Sequence, residues 1–198
     1  MANTVALGVA GLVVPPCSHI CVLVRGSESF VQVEERILRQ GLLNGEVCLG
    51  VLEDPARESL LSALAEESSI AGRLHLISSW EAFLGRGAFS ALEMVEHLSF
   101  SVGAALSAAG CSFARTVGEM SATLREVIGE DQLMRYESEL NRSAARHPQL
   151  LLCIYDLDGF SGSSLVEILR THPWVLLGDA LINNPYYVSP DEFLATRV

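Results

Sequence analysis

The sequence of 198 residues contains no lysine, so all thirteen of its basic residues are arginine. The absence of lysine excludes a Schiff-base lysine and, with it, pyridoxal-phosphate chemistry. It also removes the lysine that a working phosphate-binding loop places on the β- and γ-phosphates of a nucleotide. The net charge of −11 leaves no excess of basic residues to neutralise a nucleic-acid backbone, so we expect no direct binding of nucleic acid.

Long apolar segments are missing as well. The apolar N-terminus lacks the basic residues of a secretory signal, and Pro15 and Pro16 interrupt it before it reaches the ~20 residues that a membrane span needs. The five cysteines are an odd number, and most lie in strand-like segments, where cysteine behaves as a small buried hydrophobe. We therefore expect a cytoplasmic protein with reduced thiols and no contact with a membrane.

Short apolar segments alternate with segments of helical periodicity along the chain. Strands that are apolar on both faces and separated by helices are typical of a parallel sheet covered on both sides. The sequence therefore predicts a three-layer α/β fold, with a mostly parallel sheet flanked by helices. We expect one domain over residues 19–198 and an N-terminal extension over residues 1–18. The predicted strands are 19–24, 47–52, 73–78, 112–118, 150–156 and 174–178, and the predicted helices are 28–43, 90–109, 130–146 and 161–170, with another beginning at Asp54.

Polar residues collect where the predicted strands end. Ligands of open parallel sheets bind outside these carboxyl ends. Several carboxylates at one edge could hold a divalent cation, because hard cations prefer oxygen ligands. Asp54 has an alternative explanation, since aspartate also favours the start of a helix. The residues at the strand ends are Arg25, Gly26 and Ser27 after the first strand, Glu53 and Asp54 after the second, Glu119 after the fourth and Asp156 after the fifth.

The stretch NNPYYVSPDEF, residues 183–193, is also dense in polar and aromatic groups. Adjacent tyrosines in an extended segment point to opposite sides, so one of Tyr186 and Tyr187 can pack while the other presents its hydroxyl to a pocket. Aromatic walls with few polar groups suit a small, mainly apolar ligand. The pocket predicted for such a ligand consists of His19, Glu119, Tyr155, Asp156 and Tyr186.

The stretch CSHIC places two cysteines and a histidine at a spacing of two. On a strand this spacing puts Cys17, His19 and Cys21 on one face, and sulfur and imidazole suit zinc. No second pair of ligands follows, so we expect buried thiols and no metal, with a thiol or metal sensor as an alternative. His147 and His172 each precede a proline that ends a helix, and we interpret both as loop structure.

The common catalytic motifs are absent from the sequence. We find no G-x-S-x-G elbow for a serine nucleophile, no H-E-x-x-H metalloprotease motif, no paired C-x-x-C and no G-x-G-x-x-G dinucleotide loop. We therefore expect neither enzymatic activity nor a bound cofactor.

Several of these segments together resemble the MEDS domain, the methanogen/methylotroph sensory domain, whose family includes the sensory region of the dichloromethane-dehalogenase regulator. Where that family suggests an aromatic after GEM, this sequence has Ser121 and Ala122. The segments that carry the resemblance are HIC at 19–21, GLLNGEVCLGVLEDP at 41–55, GEM at 118–120, YE at 136–137, HPQLLLCIYDLDGFSG at 147–162 and LRTHPWVLLGDALINNPYY at 169–187.

The family in turn resembles the KaiC/RecA-like ATPase core, in which a strand leads into a phosphate-binding loop. Here the loop RGSESFVQ begins at Arg25, Gly26 and Ser27 but lacks the second glycine, the lysine and the magnesium-binding hydroxyl. The resemblance therefore implies a RecA/KaiC-like fold without a functional phosphate loop. The alternative is a degenerate nucleotide-binding protein that holds ATP or ADP with magnesium.

The resemblance also implies a function. It suggests a non-enzymatic sensory or regulatory domain that binds a small molecule, a protein partner, or both, and signals to a transcription regulator or a kinase. The sequence before residue 19 is too short for a helix-turn-helix, so we expect the output to pass through a separate protein. Because RecA-like relatives often assemble, a homo-oligomer is a further expectation.

Overall fold

A computed structural model describes residues 4–64, 72–84 and 89–197, with the side chains of residues 27–29 and 84 outside the description. The strands within these ranges are β1 (Val5–Ala6), β2 (Val13–Val14), β3 (His19–Val24), β4 (Val47–Leu52), β5 (Leu74–Ser78), β6 (Ala114–Glu119), β7 (Gln149–Asp156), β8 (Trp174–Leu177) and β9 (Ala180–Asn183). The helices are α1 (Ser27–Leu43), α2 (Asp54–Leu64), α3 (Ala91–Ala109), α4 (Ala122–Ile128), α5 (Glu130–Ala144), α6 (Gly162–Thr171) and α7 (Pro190–Ala195).

The described strands from β3 onwards form one sheet in the order β5-β4-β6-β7-β3-β8-β9. All neighbours pair in parallel except β8 and β9, which are antiparallel. The predicted α/β fold with a mostly parallel sheet is confirmed. The antiparallel strand β9 was not predicted, although Gly178-Asp179 between β8 and β9 is a turn pair and Gly178 has a φ of 56°.

Side chains of the central strands alternate between two hydrophobic cores. On β7, Leu150 and Leu152 belong to the core under α1 and α2, whereas Leu151 and Cys153 belong to the core under α3, α5 and α6. Burial of both faces explains why these strands are continuous apolar segments, as parallel strands generally are.

The N-terminal segment packs onto the first of these cores. β1 and β2 form an antiparallel hairpin, and Leu7, Val9 and Val14 beside them are buried. The hairpin was not predicted from the sequence, because each of its strands has only two residues. No helix in the described ranges is long and apolar enough to cross a membrane.

A buried ion pair ties this hairpin to the sheet. Arg115 on β6 is fully buried and pairs with Glu46 through its Nε (2.8 Å) and Nη2 (3.1 Å). Its remaining N–H groups donate to the backbone carbonyls of Ala6, Leu7 and Ile37. All five guanidinium donors are therefore used, which is what makes a buried arginine tolerable.

We predict that Arg115→Met destabilises the protein by about 3–5 kcal/mol, because it leaves the Glu46 carboxylate buried without its partner. The double variant Arg115→Met/Glu46→Met should recover part of the loss, since no charge is then stranded. As a control, Arg142→Met removes an exposed ion pair with Glu139 and should cost less than about 1 kcal/mol. Urea unfolding measures the free energy of unfolding of all three variants. Equal losses of this free energy in Arg115→Met and Arg142→Met would contradict the prediction.

Candidate functional site

A cleft of about 640 Å³ lies at the carboxyl edge of the sheet. It is bounded by the ends of β4, β6 and β7 and by the first turns of α1 and α2, where open parallel sheets generally bind ligands. Its lining comprises the apolar residues Phe30, Val31, Pro55, Ala56, Ala122 and Gly159 and the polar residues Gln32, Glu53, Ser59, Glu119, Ser121 and Asp156.

Glu53, Glu119 and Ser121 form one hydrogen-bonded unit on the floor of the cleft. The backbone N–H of Glu53 donates to Glu119 Oε2 over 2.8 Å, and the Ser121 hydroxyl donates to Glu53 Oε1 over 2.7 Å. The same Ser121 oxygen accepts from the N–H of Leu124 and caps α4. The serine that replaces the expected aromatic thus fixes both a helix start and a carboxylate.

In the loop that would hold phosphates, a backbone donor is bonded to a carboxylate of the protein itself. The N–H of Gly26 and that of Asp158 both donate to Asp156 Oδ1, over 3.3 Å and 3.0 Å. Arg25 pairs with Asp158 at an exposed position. The side chain of Ser27 lies outside the described residues. A carboxylate therefore takes the backbone donor that a phosphate would need at this position.

Asp54 does not line the cleft. It is the first residue of α2, is exposed, and accepts a hydrogen bond from Arg57. A carboxylate in the first turn of a helix is favourable by itself, because it lies near the positive end of the helix dipole.

Two glutamates near the cleft have raised pKa values. Glu34 on α1 is fully buried, and neither of its oxygens has a hydrogen-bond partner among the described residues. Burial and the negative charge of Glu119 raise the pKa of Glu34 to about 9. Burial also raises the pKa of Glu119, against the hydrogen bond from the Glu53 N–H. Glu34 is therefore uncharged at neutral pH.

A second polar cluster is buried between the sheet and α5. Glu137 on α5 accepts a hydrogen bond from the Tyr155 hydroxyl over 2.6 Å through Oε1. Its Oε2 lies 3.2 Å from His19 Nε2 and 3.3 Å from His172 Nε2. Cys153 Sγ lies 3.3 Å from His19 Nε2. All five side chains are at most 3% exposed, so this polar cluster belongs to the interior.

The cluster shifts the pKa values of its own members. Burial alone would raise the pKa of Glu137, but hydrogen bonds to His172 and His19 bring it well below its usual range. Burial lowers the pKa of His19, and the neighbouring His172 lowers it further. Burial raises the pKa of both Tyr155 and Cys153, and the negative charge of Glu137 adds to both shifts. The carboxylate is therefore the ionised group, while the phenol and the thiol keep their protons.

The structure does not bring the five predicted ligand residues into one pocket. Glu119 and Asp156 line the cleft, as the strand-end rule indicates. His19 is the first residue of its strand and Tyr155 faces α5, so both lie in the buried cluster instead. Tyr186 is 68% exposed and does not line the cleft. The prediction of a single pocket is therefore corrected: two of the five residues line the cleft, two lie in the buried cluster, and Tyr186 belongs to neither.

The predicted face of Cys17, His19 and Cys21 is only partly formed. Cys17 precedes the strand, has a φ of 61° and is exposed, with its Sγ 3.6 Å from the carbonyl of His147. His19 and Cys21 share a face, as their spacing predicts. Glu137 belongs to the YE pair at 136–137 that carries the family resemblance, but it was not predicted as a site residue, because nothing along the sequence links a mid-helix glutamate to His19. It also read His172 as loop structure, although His172 is fully buried in the cluster.

A further cavity of about 570 Å³ lies between α3 and the strands β4 and β5, of which β5 is the edge strand. Its walls are mainly apolar, including Leu49, Phe83, Met94 and Leu98. The carboxyl-edge cleft differs from this cavity because the carboxylates of Glu53, Glu119 and Asp156 line it together.

Comparisons with known proteins agree with this architecture. The sequence pattern of the family described as MEDS, the methanogen/methylotroph, DcmR sensory domain, matches residues 18–173. The transcriptional repressor DcmR of Methylorubrum extorquens is 25% identical over 177 residues, which cover 86% of this chain and 63% of the repressor. The chain thus spans less than two thirds of that relative.

Among solved structures, a KaiC-like protein from the hyperthermophilic archaeon Pyrococcus horikoshii OT3 superimposes with a TM-score of 0.55. The alignment covers 88% of this chain and 80% of the archaeal chain, with 14% sequence identity. At that identity the similarity concerns the fold alone, and the fold is RecA-like.

We predict that Glu34→Gln changes how stability depends on pH. Between the ordinary glutamate pKa of 4.5 and about 9, the unfolded chain has released the Glu34 proton and the folded chain retains it. The free energy of unfolding of the wild type therefore falls as pH rises through this window, by up to about 1.4 kcal/mol per pH unit from this group. The stability of Glu34→Gln relative to the wild type should increase over the same range.

Urea unfolding at several pH values between about 5 and 8 checks this, because the glutamine cannot titrate. Glu58→Gln, at an exposed position on α2, is the matched control and should follow the wild type. If the free energies of unfolding of the wild type and Glu34→Gln change in parallel with pH, Glu34 ionises normally in the folded protein and the prediction is wrong.

Proposed function

This chain belongs to the MEDS family, and from that premise we propose that it is a non-enzymatic sensory or regulatory domain with its ligand site in the carboxyl-edge cleft. The ligand is a small organic molecule with an apolar body and a hydrogen-bond-donating or cationic group. Binding changes the relative stability of two conformations, and a transcription regulator or a kinase detects the change as a protein partner.

The observation that carries the proposal is the convergence of three carboxylates on an otherwise apolar cleft. Glu53, Glu119 and Asp156 offer acceptors, while Phe30 and Val31 belong to the apolar wall. Pockets with apolar walls and a few placed polar groups are typical of small-molecule sites. An amine or a hydroxyl group can donate to these oxygens, whereas a ligand without a donor leaves them unpaired.

The electrostatics argue against phosphate as the recognised group. No basic side chain is among the described residues that line the cleft, and carboxylates repel a phosphate there. The N–H of Gly26 is already bonded to Asp156. Both features oppose the alternative of a degenerate ATP or ADP site with magnesium.

The regulatory part of the proposal is supported by the family and by the repressor relative. The non-enzymatic part is supported by the lack of the common catalytic motifs in the sequence. Ser121 donates its proton to Glu53, but its oxygen accepts the N–H of Leu124 as the cap of α4, so its contacts have a structural role.

We predict that one or more of a panel of short alkylamines, amino alcohols and diols raises the melting temperature of the purified chain. A ligand at 100 times its Kd stabilises the folded state by about 2.7 kcal/mol. For a domain of this size that corresponds to a shift of roughly 5–10 °C. Glu119→Gln should reduce the shift, because the variant loses a charged acceptor in the cleft. Glu192→Gln, at an exposed position on α7, should leave it unchanged.

The same melting experiment includes ADP and ATP with magnesium, for which we expect no shift. Stabilisation by nucleotide alone would instead support the degenerate nucleotide-binding alternative. A panel without any stabilising compound would overturn the proposed ligand class, and a ligand effect equal in wild type and Glu119→Gln would place the site elsewhere.

A further inference from the structure

We propose that His19, Glu137, Cys153 and His172 bind one divalent metal ion of the zinc class inside the domain. This inference does not depend on the proposed function of the cleft, since none of the four residues lines it. It assigns a metal-binding role to the cluster, keeps His19 from the three residues that the sequence offered as alternative ligands, and replaces Cys17 and Cys21 with Glu137, Cys153 and His172.

The four donor atoms are at the separations that such an ion requires. One ligand atom from each residue lies within 4.8 Å of all the others. Three of the separations are 3.2–3.3 Å, namely those from His19 Nε2 to Cys153 and Glu137 and from His172 Nε2 to Glu137. A tetrahedral zinc ion with bonds of about 2.0–2.3 Å has ligand atoms roughly 3.3–3.7 Å apart.

The tautomer of His19 follows from its second hydrogen bond. The amide nitrogen of Asn141 faces the backbone carbonyls of Glu137, Ser138 and Thr171, at 3.2, 3.2 and 2.8 Å, so it must be the donor end of that side chain. Asn141 Oδ1 is then the atom 3.2 Å from His19 Nδ1, and it can only accept. His19 therefore carries its proton on Nδ1 and, when neutral, points a lone pair from Nε2 into the cluster.

His172 is oriented in the same way. Its Nδ1 lies 2.8 Å from the backbone carbonyl of Ile168, which can only accept, so Nδ1 carries the proton. Its Nε2 points at Glu137 Oε2 over 3.3 Å. Metal-binding histidines generally donate their other ring N–H to an oxygen in this manner, which fixes the ring and leaves the second nitrogen free to bind.

Lone pairs thus converge on a point where, among the described side chains, the Cys153 thiol is the one group that can donate to them when both histidines are neutral. When both histidines are neutral and carry their proton on Nδ1, neither Glu137 Oε2 nor His172 Nε2 has a hydrogen-bond partner in the described part of the chain, although both are buried. Two imidazole nitrogens and a carboxylate oxygen facing one another repel unless a cation lies between them. Orphaned acceptors in the interior are costly, so a cation at this point is strongly favoured.

The charge and the chemistry of the four ligands favour a divalent ion of the zinc class. A divalent cation bound to the Glu137 carboxylate, a Cys153 thiolate and two neutral imidazoles gives a centre with no net charge, which is the condition for burial. One sulfur, two nitrogens and one oxygen suit zinc and related transition metals, and not magnesium or calcium. Because four protein ligands complete the tetrahedron, the site has no open position and is structural in type.

Metal binding at this point would join elements that are far apart in the sequence. His19 begins β3, Cys153 belongs to β7, Glu137 to α5, and His172 follows α6. Ligands contributed by separate elements couple the free energy of metal binding to that of folding. The competing explanation is a proton in place of the metal, held between Glu137 and the two histidines.

The test begins with the purified full chain, stripped of metal with a chelator and titrated with Zn²⁺ and, separately, with Co²⁺. We expect one equivalent of metal bound per chain, an increase in melting temperature, and a sulfur-to-cobalt charge-transfer absorption band. Less than a tenth of an equivalent bound, with no absorption band, would overturn the proposal and leave the proton as the cation.

The variants identify the ligands. Cys153→Ala should abolish the charge-transfer band, whereas Cys48→Ala, which removes a buried cysteine in the other core, should keep it. Asn141→Ala leaves all four ligands in place but removes the partner of His19 Nδ1, and should weaken metal binding by about 10–100-fold. This variant keeps the test decisive if Cys153→Ala fails to fold. Either unchanged affinity in Asn141→Ala or a charge-transfer band in Cys153→Ala would overturn the assignment.

Discussion

The buried carboxylate of Glu137 is the constraint on which the arrangement of one side of this domain depends. A charge in the interior must be compensated there, because its desolvation costs several kcal/mol. Its partners come from the start of β3, from β7 and from the end of α6. The register of α5 on the sheet is therefore determined by polar contacts as well as by the apolar packing around them.

Arg115 has the corresponding role on the opposite face. Its five N–H groups hold Glu46, α1 and the N-terminal hairpin around one fully buried guanidinium. The Arg115 network satisfies its charges within the protein, since all five guanidinium N–H groups have acceptors. The carboxylates at the ends of β4, β6 and β7 differ, since they line a cleft at the edge of the sheet. Buried charge thus stabilises the fold, and exposed charge at the edge is available for recognition.

The sequence predicted the sheet well because parallel strands buried on both faces are apolar throughout, as HICVLV at 19–24 is. It missed β9 and the hairpin, whose strands have four residues or fewer. The position of Glu119 and Asp156 at the cleft could be predicted because both follow or end strands whose carboxyl ends meet at one edge of the sheet. The contacts of His19 with Glu137 and His172 could not be predicted, because they bridge more than a hundred residues and depend on how α5 and α6 pack.

The central claim is the proposal that the cleft on this RecA-like fold, where Asp156 accepts from the Gly26 N–H, binds a small organic molecule and not a nucleotide. Native mass spectrometry of the chain as purified, followed by denaturation of the same sample, tests it most directly. The account predicts a non-covalent organic molecule that is released on denaturation and carries no phosphate. Stoichiometric ADP or ATP in the released fraction would contradict it.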